Sequence, residues 1–231
     1  MATTLYLIRH GQAEGNWKRL FQGHTDAAVS EVGKRQLTYL ARRMQDTPFD
    51  AVYASPLVRA VQTAQAVAKG VPITTMPELM EINGGEFEGV PFGELPKRFP
   101  QAYVNWQSHP ELCSPPGGEK MADVFIRMKA AIDSIAQKHP GKTVAVVSHG
   151  CAIRCYLCYA SGWDIEKLRY MQWCDNTAVS KVEYDEQFVP HILYKNDSGH
   201  LPTEHSTFAT QDWWKGVPEL PGQETTEGEP L

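Results

Sequence analysis

Residues 4–16 read TLYLIRHGQAEGN, and they join a short apolar run to an arginine, a histidine and a glycine. The run at 4–8 is typical of a buried strand. In an open α/β sheet, ligands bind beyond the carboxyl ends of the strands. The stretch therefore predicts a strand that delivers Arg9 and His10 to the ligand-binding edge of a sheet. Gly11 then lets the backbone turn without a Cβ that would obstruct the ligand.

Further runs of the same kind indicate the rest of the sheet. They are short, rich in β-branched residues and continuously apolar, as strands of a parallel sheet covered on both faces are. Helical patterns lie between them, so we predict an α/β fold, a three-layer α/β/α sandwich with a mostly parallel sheet and right-handed crossovers. Two later runs complete the sheet as a hairpin. The predicted strands are 4–8, 51–54, 72–75 and 143–147, and the hairpin strands are 178–184 and 191–194.

The helix boundaries are predicted from their capping residues. Ser30 is a good N-cap for a helix with apolar residues at helical spacing. Pro56 suits the first turn of the next helix, which Gly70 ends. A third apolar stripe spans 121–135, and a fourth helix begins near Gly150.

Two segments depart from this alternation. Residues 86–118 hold prolines, glycines and aromatic residues, and we interpret them as a lid-like insertion, since long loops are more often functional than structural. Residues 202–231 end in GQETTEGEPL, whose composition predicts disorder in the last dozen. The expected organisation is a single domain over 1–201 with a C-terminal extension over 202–231.

The composition argues against nucleic acid and anionic membranes as main partners and favours a reducing compartment. The 231 residues carry a net charge of −5, which argues against nucleic acid or an anionic membrane as the main partner. A small anionic substrate needs only a few local arginines. We find neither a signal peptide nor an apolar run near the ~20 residues of a membrane span. The five cysteines are an odd number, and the expectation is a reduced, cytoplasmic protein.

Five polar side chains follow the predicted strands and should share one sheet edge: Arg9 and His10, Arg59, Glu81 and His149. Each of them alone has an ordinary structural interpretation. Together they suit a phosphate ester, because guanidinium groups match phosphoryl oxygens and surrounding cations keep an imidazole neutral and nucleophilic. A nearby carboxylic acid can protonate the leaving alkoxide. This chemistry requires neither a metal nor a cofactor, and we predict none.

The motifs around these residues resemble the histidine phosphatase superfamily, whose fold is also called phosphoglycerate-mutase-like. The matching blocks run in the family's order from about residue 4 to 201, which makes the resemblance specific. They are LIRHGQAEGN (7–16), FQGHTDAAVSEVGKRQ (21–36), FDAVYASPLVRAVQTA (49–64), ELMEINGGEFEG (78–89), PPGGE (115–119), VAVVSHGCAIR (144–154) and KNDSGHL (195–201).

The resemblance implies a role for each site residue. His10 would be the nucleophile that forms a phosphohistidine, and Glu81 would be the general acid. The implied phosphate contacts are Arg9, Asn16, Gln22, Gly23, Arg59, His149 and Gly150. Gln12 and Ala13 stand where the family often has Glu-Thr, and Cys151 replaces a glycine after Ser-His-Gly.

Cys151, Cys155 and Cys158 have a spacing similar to that of an iron–sulfur motif. The segment CAIRCYLCYA is predicted to be helical, however, which places the three thiols on one face. Cysteine is readily buried as a small apolar residue, and we interpret the three as core.

Three functions stay open from the sequence. The first is a metal-independent phosphomonoesterase acting on a small phosphorylated metabolite. The second is a cofactor-dependent phosphoglycerate mutase, disfavoured because the insertion offers only Lys97 and Arg98 as cations. The third is a catalytically idle interaction module that uses Trp213 and Trp214. The physiological ester is not specified by the sequence, and a homodimer through an edge strand is left open.

Overall fold

The computed structural model describes residues 2–211 and 217–218, and Trp213, Trp214 and the last dozen residues lie outside them. Six strands form one sheet in the order β3-β2-β4-β1-β5-β6. The strands are β1 (Thr3–Arg9), β2 (Ala51–Ala54), β3 (Ile73–Thr75), β4 (Thr143–Ser148), β5 (Val179–Tyr184) and β6 (Pro190–Asp197).

Strand register brings the carboxyl ends of three strands together. The pairs β3–β2, β2–β4 and β4–β1 are parallel, whereas β5 and β6 form the predicted antiparallel hairpin. Arg9 pairs with Ser148, and Ala54 pairs with Val147, so β1, β4 and β2 end at the same level. The mixed, mostly parallel sheet confirms the predicted fold class.

Helices cover both faces of this sheet. The helices are α1 (Glu14–Lys18), α2 (Glu31–Arg43), α3 (Val58–Ala68), α4 (Leu95–Arg98), α5 (Pro100–Ser108), α6 (Met121–Lys138), α7 (Gly150–Ala160) and α8 (Thr207–Thr210). Short 3₁₀ turns lie at Pro77–Leu79, Gly85–Phe87, Phe92–Glu94, Pro110–Leu112, Ile165–Tyr170 and Thr203–His205. Among the described helices, none is long and apolar enough to cross a membrane.

Alternation along the strands produces two cores. In β4, Val144 and Val146 belong to the cluster that includes residues of α6 and α7. Ala145 and Val147 belong to a second cluster with residues of α2 and α3. Successive side chains of a strand point to opposite faces, so a continuously apolar strand can supply both layers of a three-layer sandwich.

The start of α3 differs from the prediction. Ser30 caps α2 as expected, since its Oγ accepts from the backbone N–H of Gly33. Pro56, however, precedes α3 rather than opening it, because Leu57 is extended and the helix begins at Val58. The carboxylate of Asp26 accepts from the Val58 N–H at 2.8 Å and satisfies this helix end from a distant loop.

The predicted insertion contains helical turns instead of irregular loop. Helices α4 and α5 lie within it, and its aromatic side chains pack on the rest of the domain. Trp106 meets Phe21 with ring centroids 5.0 Å apart and stacks on Trp173 at 6.1 Å. These contacts fix the insertion beside the carboxyl end of the sheet.

The first residues of the C-terminal extension pack against the domain. Thr207, at the start of α8, is fully buried. Its Oγ1 donates to Asn176 Oδ1 at 2.8 Å and accepts from Gln12 Nε2 at 3.2 Å. The boundary at residue 201 stays a prediction, but Thr203–His205 and Thr207–Thr210 form helical turns, the second of which packs against the domain through Thr207.

Candidate active site

His10 is held by a hydrogen bond that defines its tautomer. Its Nδ1 lies 2.7 Å from the carbonyl oxygen of Gly11. A carbonyl oxygen only accepts, so Nδ1 carries the proton and Nε2 holds the lone pair. The Nε of Arg59 donates to this Nε2 at 3.3 Å. The structure thus leaves the lone pair of a neutral imidazole on Nε2, the nitrogen that faces Arg59.

His149 lies beside His10 and has one unpaired nitrogen. The two ring centroids are 5.0 Å apart. His149 Nε2 is 2.7 Å from Ser55 Oγ, whereas its Nδ1 is buried without a hydrogen-bond partner among the described residues. A buried polar atom without a hydrogen-bond partner is costly in free energy. A protonated Nδ1 can donate to a phosphoryl oxygen, which would supply the missing partner.

Burial and neighbouring cations keep both imidazoles neutral. Burial lowers the pKa of His10 well below its ordinary value, and the charges of Arg59 and Arg9 lower it further, against a smaller opposing effect of the Gly11 carbonyl. The pKa of His149 is lowered chiefly by burial and then by Arg59, His10 and Arg9. The sequence predicted the neutral form from the cations alone, whereas loss of solvent is the larger cause.

Arg59 is positioned by hydrogen bonds to the loop that contains Gly23 and Thr25. Its Nη2 donates to the carbonyl of Gly23 at 2.7 Å, and its Nη1 donates to that of Thr25 at 2.8 Å. Burial lowers the pKa of Arg59 to about 10, with Glu81 the largest opposing influence. At neutral pH it therefore keeps its charge.

The loop itself depends on Glu88, a residue that the sequence analysis did not single out. Its carboxylate accepts from the backbone N–H groups of Gly23, His24, Thr25 and Gly84. Burial raises the pKa of Glu88, but the hydrogen bonds outweigh that effect and lower it. Gly23 has no room for a side chain, since a Cβ would lie 2.1 Å from the carbonyl oxygen of Ile82.

Glu81 sits at the N-terminus of α7. Its Oε2 accepts from the N–H of Cys151 at 3.0 Å, and its Oε1 accepts from those of Ala152 and Ile82. A carboxylate is favoured at a helix N-terminus by the unpaired N–H groups and by the helix dipole. His24 bonds the backbone carbonyl of Glu81 at 2.9 Å and so contacts this segment rather than the carboxylate.

A cavity of about 320 Å³ opens at this edge. Five of the predicted site residues line it, namely Arg9, Asn16, Gln22, Glu81 and Gly150. The other four, His10, Gly23, Arg59 and His149, are buried next to those residues and are not part of the lining.

Two of the lining residues have contacts that fix their position. The Nη1 of Arg9 donates to the Cys174 carbonyl at 2.5 Å. Asn16 Oδ1 accepts from the Ala13 N–H at 2.9 Å, which closes the first turn of α1. A Cβ on Gly150 would lie 3.3 Å from Arg9 Nε, so the glycine lets the start of α7 approach the guanidinium closely.

The three cysteines of the CAIRCYLCYA segment lie on α7, as predicted, and are buried. Cys151 and Cys155 contact the sulfur of Met121 at 3.2 and 3.6 Å. Within residues 2–211, no three His, Cys, Asp or Glu side chains are placed to share a metal ion. The interpretation of these thiols as core residues is confirmed.

Several residues that support the site were not predicted from the sequence. Ser55, which pairs with His149, directly follows β2 and could have been found by that position. Thr63 accepts from the Gly11 N–H at 2.9 Å and donates to the Arg59 carbonyl at 2.7 Å. Asn176 donates to the His10 carbonyl at 3.0 Å from a loop distant in sequence. The bond between Gly11 and Thr63 and the bond between Asn176 and His10 depend on tertiary packing and had no signal in the sequence.

Comparisons with known proteins agree with this geometry. The family model described as "Histidine phosphatase superfamily (branch 1)" matches residues 5–197. Phosphoserine phosphatase 1 of Hydrogenobacter thermophilus is 31% identical over 185 residues, which cover 79% of this chain and 87% of the relative. A probable phosphoglycerate mutase, GpmB, of Yersinia pestis is 33% identical over 184 residues, covering 79% and 85%.

The fold is shared with a solved structure of similar size. Bacillus stearothermophilus YhfR superposes with a TM-score of 0.81 at 32% identity, over 86% of this chain and 98% of that one. Since the family model spans most of the chain and includes every residue of the convergent His, Arg and Glu set, the protein belongs to the histidine phosphatase superfamily.

Proposed function

We propose that the protein is a metal-independent phosphomonoesterase that acts on a small phosphorylated metabolite through a phosphohistidine at His10. The observation that carries the proposal is the neutral imidazole, whose Nδ1–H is bonded to Gly11 and whose Nε2 lone pair faces Arg59. Membership of the family and the phosphatase among its relatives support a phosphoric monoester hydrolase.

In the first step, His10 Nε2 forms a bond to phosphorus and the ester P–O bond breaks. Arg9 and Arg59 offer positive charge and N–H donors to the phosphoryl oxygens, and the neutral His149 offers an N–H donor. The negative charge of the transition state is spread over these oxygens. In its protonated form Glu81 gives its proton to the departing alkoxide, which leaves as the free alcohol. The carboxylate that results is the form that the N–H groups at the start of α7 favour.

In the second step, water attacks the phosphorus of the phosphohistidine. Glu81, now a carboxylate, takes a proton from that water as the new P–O bond forms. The P–N bond then breaks and its electron pair returns to His10 Nε2, so that inorganic phosphate is released and the enzyme returns to its starting state.

A mutase is the second candidate, because one relative carries that name. A mutase must retain its bisphosphate while the molecule reorients, and cations from the insertion would serve that purpose. The insertion instead contributes Phe92, Gly93, Tyr103, Trp106 and Gln107 to the cavity lining, without Lys97 or Arg98. The uncharged contribution of the insertion to the lining favours hydrolysis. Comparing phosphate release with isomerisation of 3-phosphoglycerate tests the choice.

The first test of the proposal is hydrolysis of an aryl phosphate in the presence of EDTA. Wild-type protein should release phosphate, and His10→Ala should lower the rate by about 10³-fold or more because it removes the nucleophile. His191→Ala, which removes an exposed histidine of the edge strand β6, is the matched control and should retain activity. Equal activity of His10→Ala and wild type would contradict the proposal.

A reducing compartment such as the cytoplasm remains part of the proposal. All five cysteines are free thiols, and all are buried. Unpaired thiols persist most readily where the environment is reducing, which supports this location.

A further inference from the structure

The block PPGGE (115–119) contains no site residue, yet it packs against the segment that carries Glu81. The Glu119 N–H donates to the Asn83 carbonyl at 2.9 Å. A Cβ on Gly118 would lie 2.4 Å from the same carbonyl oxygen, which is too close for any residue other than glycine. The block therefore lies directly beside the residues that follow Glu81.

Glu81 itself lies in a segment without regular secondary structure. Residues 80–84 connect two 3₁₀ turns, Pro77–Leu79 and Gly85–Phe87, and belong to no helix or strand. No ladder of backbone hydrogen bonds fixes the main chain of Glu81, although buried backbone carbonyls need donors. Side chains from elsewhere in the fold therefore have to hold this segment.

Arg127, on α6, binds the segment through three backbone carbonyls. Its Nη1 donates to those of Glu78 and Met80 at 2.7 and 2.8 Å. Its Nη2 donates to that of Glu81 at 3.1 Å, and His24 Nε2 donates to the same oxygen at 2.9 Å. One guanidinium thus fixes the main chain at Glu81 and on its N-terminal side.

Glu119 holds the guanidinium of Arg127 in this orientation. Its Oε1 accepts from Arg127 Nε at 2.7 Å, and its Oε2 accepts from Nη2 at 2.9 Å. The five N–H donors of the guanidinium therefore all have acceptors, three carbonyls and two carboxylate oxygens. Burial lowers the pKa of Arg127, but the hydrogen bond and the charge of Glu119 outweigh burial and raise it. The arginine is thus charged and oriented.

The ion pair lies behind the site and does not line it. Neither Arg127 nor Glu119 belongs to the cavity lining, whereas Glu81 does. The two side chains are therefore not placed to contact a substrate. A general acid has to lie within hydrogen-bond distance of the leaving-group oxygen, and a misplacement of about 1 Å can cost about 10²-fold in rate.

We propose that Arg127 and Glu119 are a positioning pair that keeps the carboxyl group of Glu81 within reach of the leaving-group oxygen. The pair holds the main chain on both sides of Glu81, since Arg127 binds the carbonyls of residues 78, 80 and 81 and Glu119 bonds to Asn83. It rests on the proposed phosphatase function, in which Glu81 is the acid, and adds two positioning residues to that function.

The experiment compares two aryl phosphates of similar shape, phenyl phosphate and dinitrophenyl phosphate. The phenolate of the first is basic and needs a proton, whereas that of the second leaves without one. Arg127→Met keeps the stem of the side chain and removes its donors. The first-turnover rate of phenol release should fall about 10- to 100-fold for phenyl phosphate and less than about threefold for dinitrophenyl phosphate.

Two milder variants keep the test decisive if Arg127→Met folds poorly. Arg127→Lys retains the charge and up to three donors, so it should recover part of the phenyl phosphate rate. Glu119→Gln retains one acceptor oxygen and loses the charge, so it should show the same selective loss in smaller measure. The size of the dinitrophenol burst counts the competent enzyme in each preparation.

A coupling measurement separates positioning from general support. In Glu81→Gln, the further change Arg127→Met should slow phenyl phosphate cleavage by less than about threefold, because the residue that it positions no longer donates a proton. Arg43→Met is the matched control. Arg43 is 18% exposed and paired with Asp197, against 19% for Arg127, but it does not contact the Glu81 segment. Its replacement should change both esters by the same factor.

The outcomes distinguish this inference from the proposed function. Equal losses on both esters in Arg127→Met, an unchanged phenyl phosphate rate, or an undiminished loss in the Glu81→Gln background would overturn the positioning role and leave the phosphatase in place. If wild type hydrolyses neither ester, or if Glu81→Gln slows both alike, the proposed function or its assignment of the acid is wrong, and the positioning role falls with it.

Discussion

At the scale of single residues, His10 receives its properties from opposite sides of its ring. The Gly11 carbonyl fixes the proton on Nδ1, and the Arg59 guanidinium points at Nε2. The sequence alone could place the arginine and the histidine together, because both follow strands that end at one sheet edge. It could not show the tautomer, which depends on a carbonyl of the next residue, nor that burial is the main cause of the lowered pKa.

Glu81→Gln tests the acid at this scale. A glutamine cannot protonate an alkoxide, so kcat should fall about 10²- to 10⁴-fold for a substrate with an alkyl leaving group. Bond cleavage in an aryl phosphate with an acidic phenol leaving group should be much less affected, since that phenolate leaves without a proton. Burst-phase release of the phenol measures this step.

The leaving-group dependence distinguishes chemistry from structure. The substitution also places an amide N–H₂ against a backbone N–H of α7, which disturbs the helix end. Such a disturbance would slow cleavage of both esters alike. If the cleavage rates of alkyl and aryl esters fall by the same factor in Glu81→Gln, Glu81 is not the general acid.

At the scale of elements, the strands and helices were predictable where apolar periodicity and capping residues agree. Ser30 and α2 are an example. The start of α3 was not, because its cap comes from Asp26 in another loop. The insertion was predicted as loop, whereas α5 forms there and packs through its aromatic residues. In both cases long-range contacts decide the local structure.

The contact between α8 and the His10 loop yields a prediction for this scale. Thr207→Val keeps the shape of the side chain but leaves Asn176 Oδ1 and Gln12 Nε2 without their partner. We expect the free energy of unfolding to fall by about 1–3 kcal/mol, measured by urea denaturation. The kcat should also fall, because Asn176 supports the His10 carbonyl.

Thr203→Val is the matched control for this substitution. Thr203 lies in the same segment and is exposed, so its replacement should change stability by less than about 0.5 kcal/mol. If the two variants lose the same stability, the buried contacts of Thr207 do not support the site as described.

At the scale of the whole molecule, the sheet carries two cores and brings its charged groups to one edge. The sequence blocks that contain the first strands also contain residues of the charged edge. For this reason the fold class and the family were predictable from the sequence. The hydrogen-bond network that supports the site was less predictable, because Glu88 and Asn176 bond to residues that are distant in the chain. The contacts of Arg127 with the carbonyls of residues 78, 80 and 81 likewise required the folded chain.

Acid stability is a property of the whole molecule that follows from its buried histidines. The pKa values of His10 and His149 lie well below 6.5, and burial with the charge of Arg43 lowers that of His200 to about 4. Below pH 6.5 the unfolded state therefore binds more protons than the folded state. Stability should be fully present above that pH and should fall as the pH decreases towards about 4.

Urea denaturation between about pH 8 and pH 4.5 measures this dependence. In His200→Gln, the decrease in unfolding free energy below pH 6.5 should be shallower by up to one bound proton. An unfolding free energy that stays constant or increases as the pH decreases below 6.5 would contradict the burial of neutral histidines.

The central claim is that the phosphoryl group passes through His10, and the most direct test traps it there. Glu81→Gln should form the phosphohistidine from an aryl phosphate but hydrolyse it slowly, because water activation lacks its base. Rapid quenching into alkali, digestion and mass spectrometry should find one phosphoryl group on the peptide that contains His10, and none in the His10→Ala double variant. A phosphoryl group on another residue, or phosphate release by the double variant at the rate of Glu81→Gln, would contradict the account.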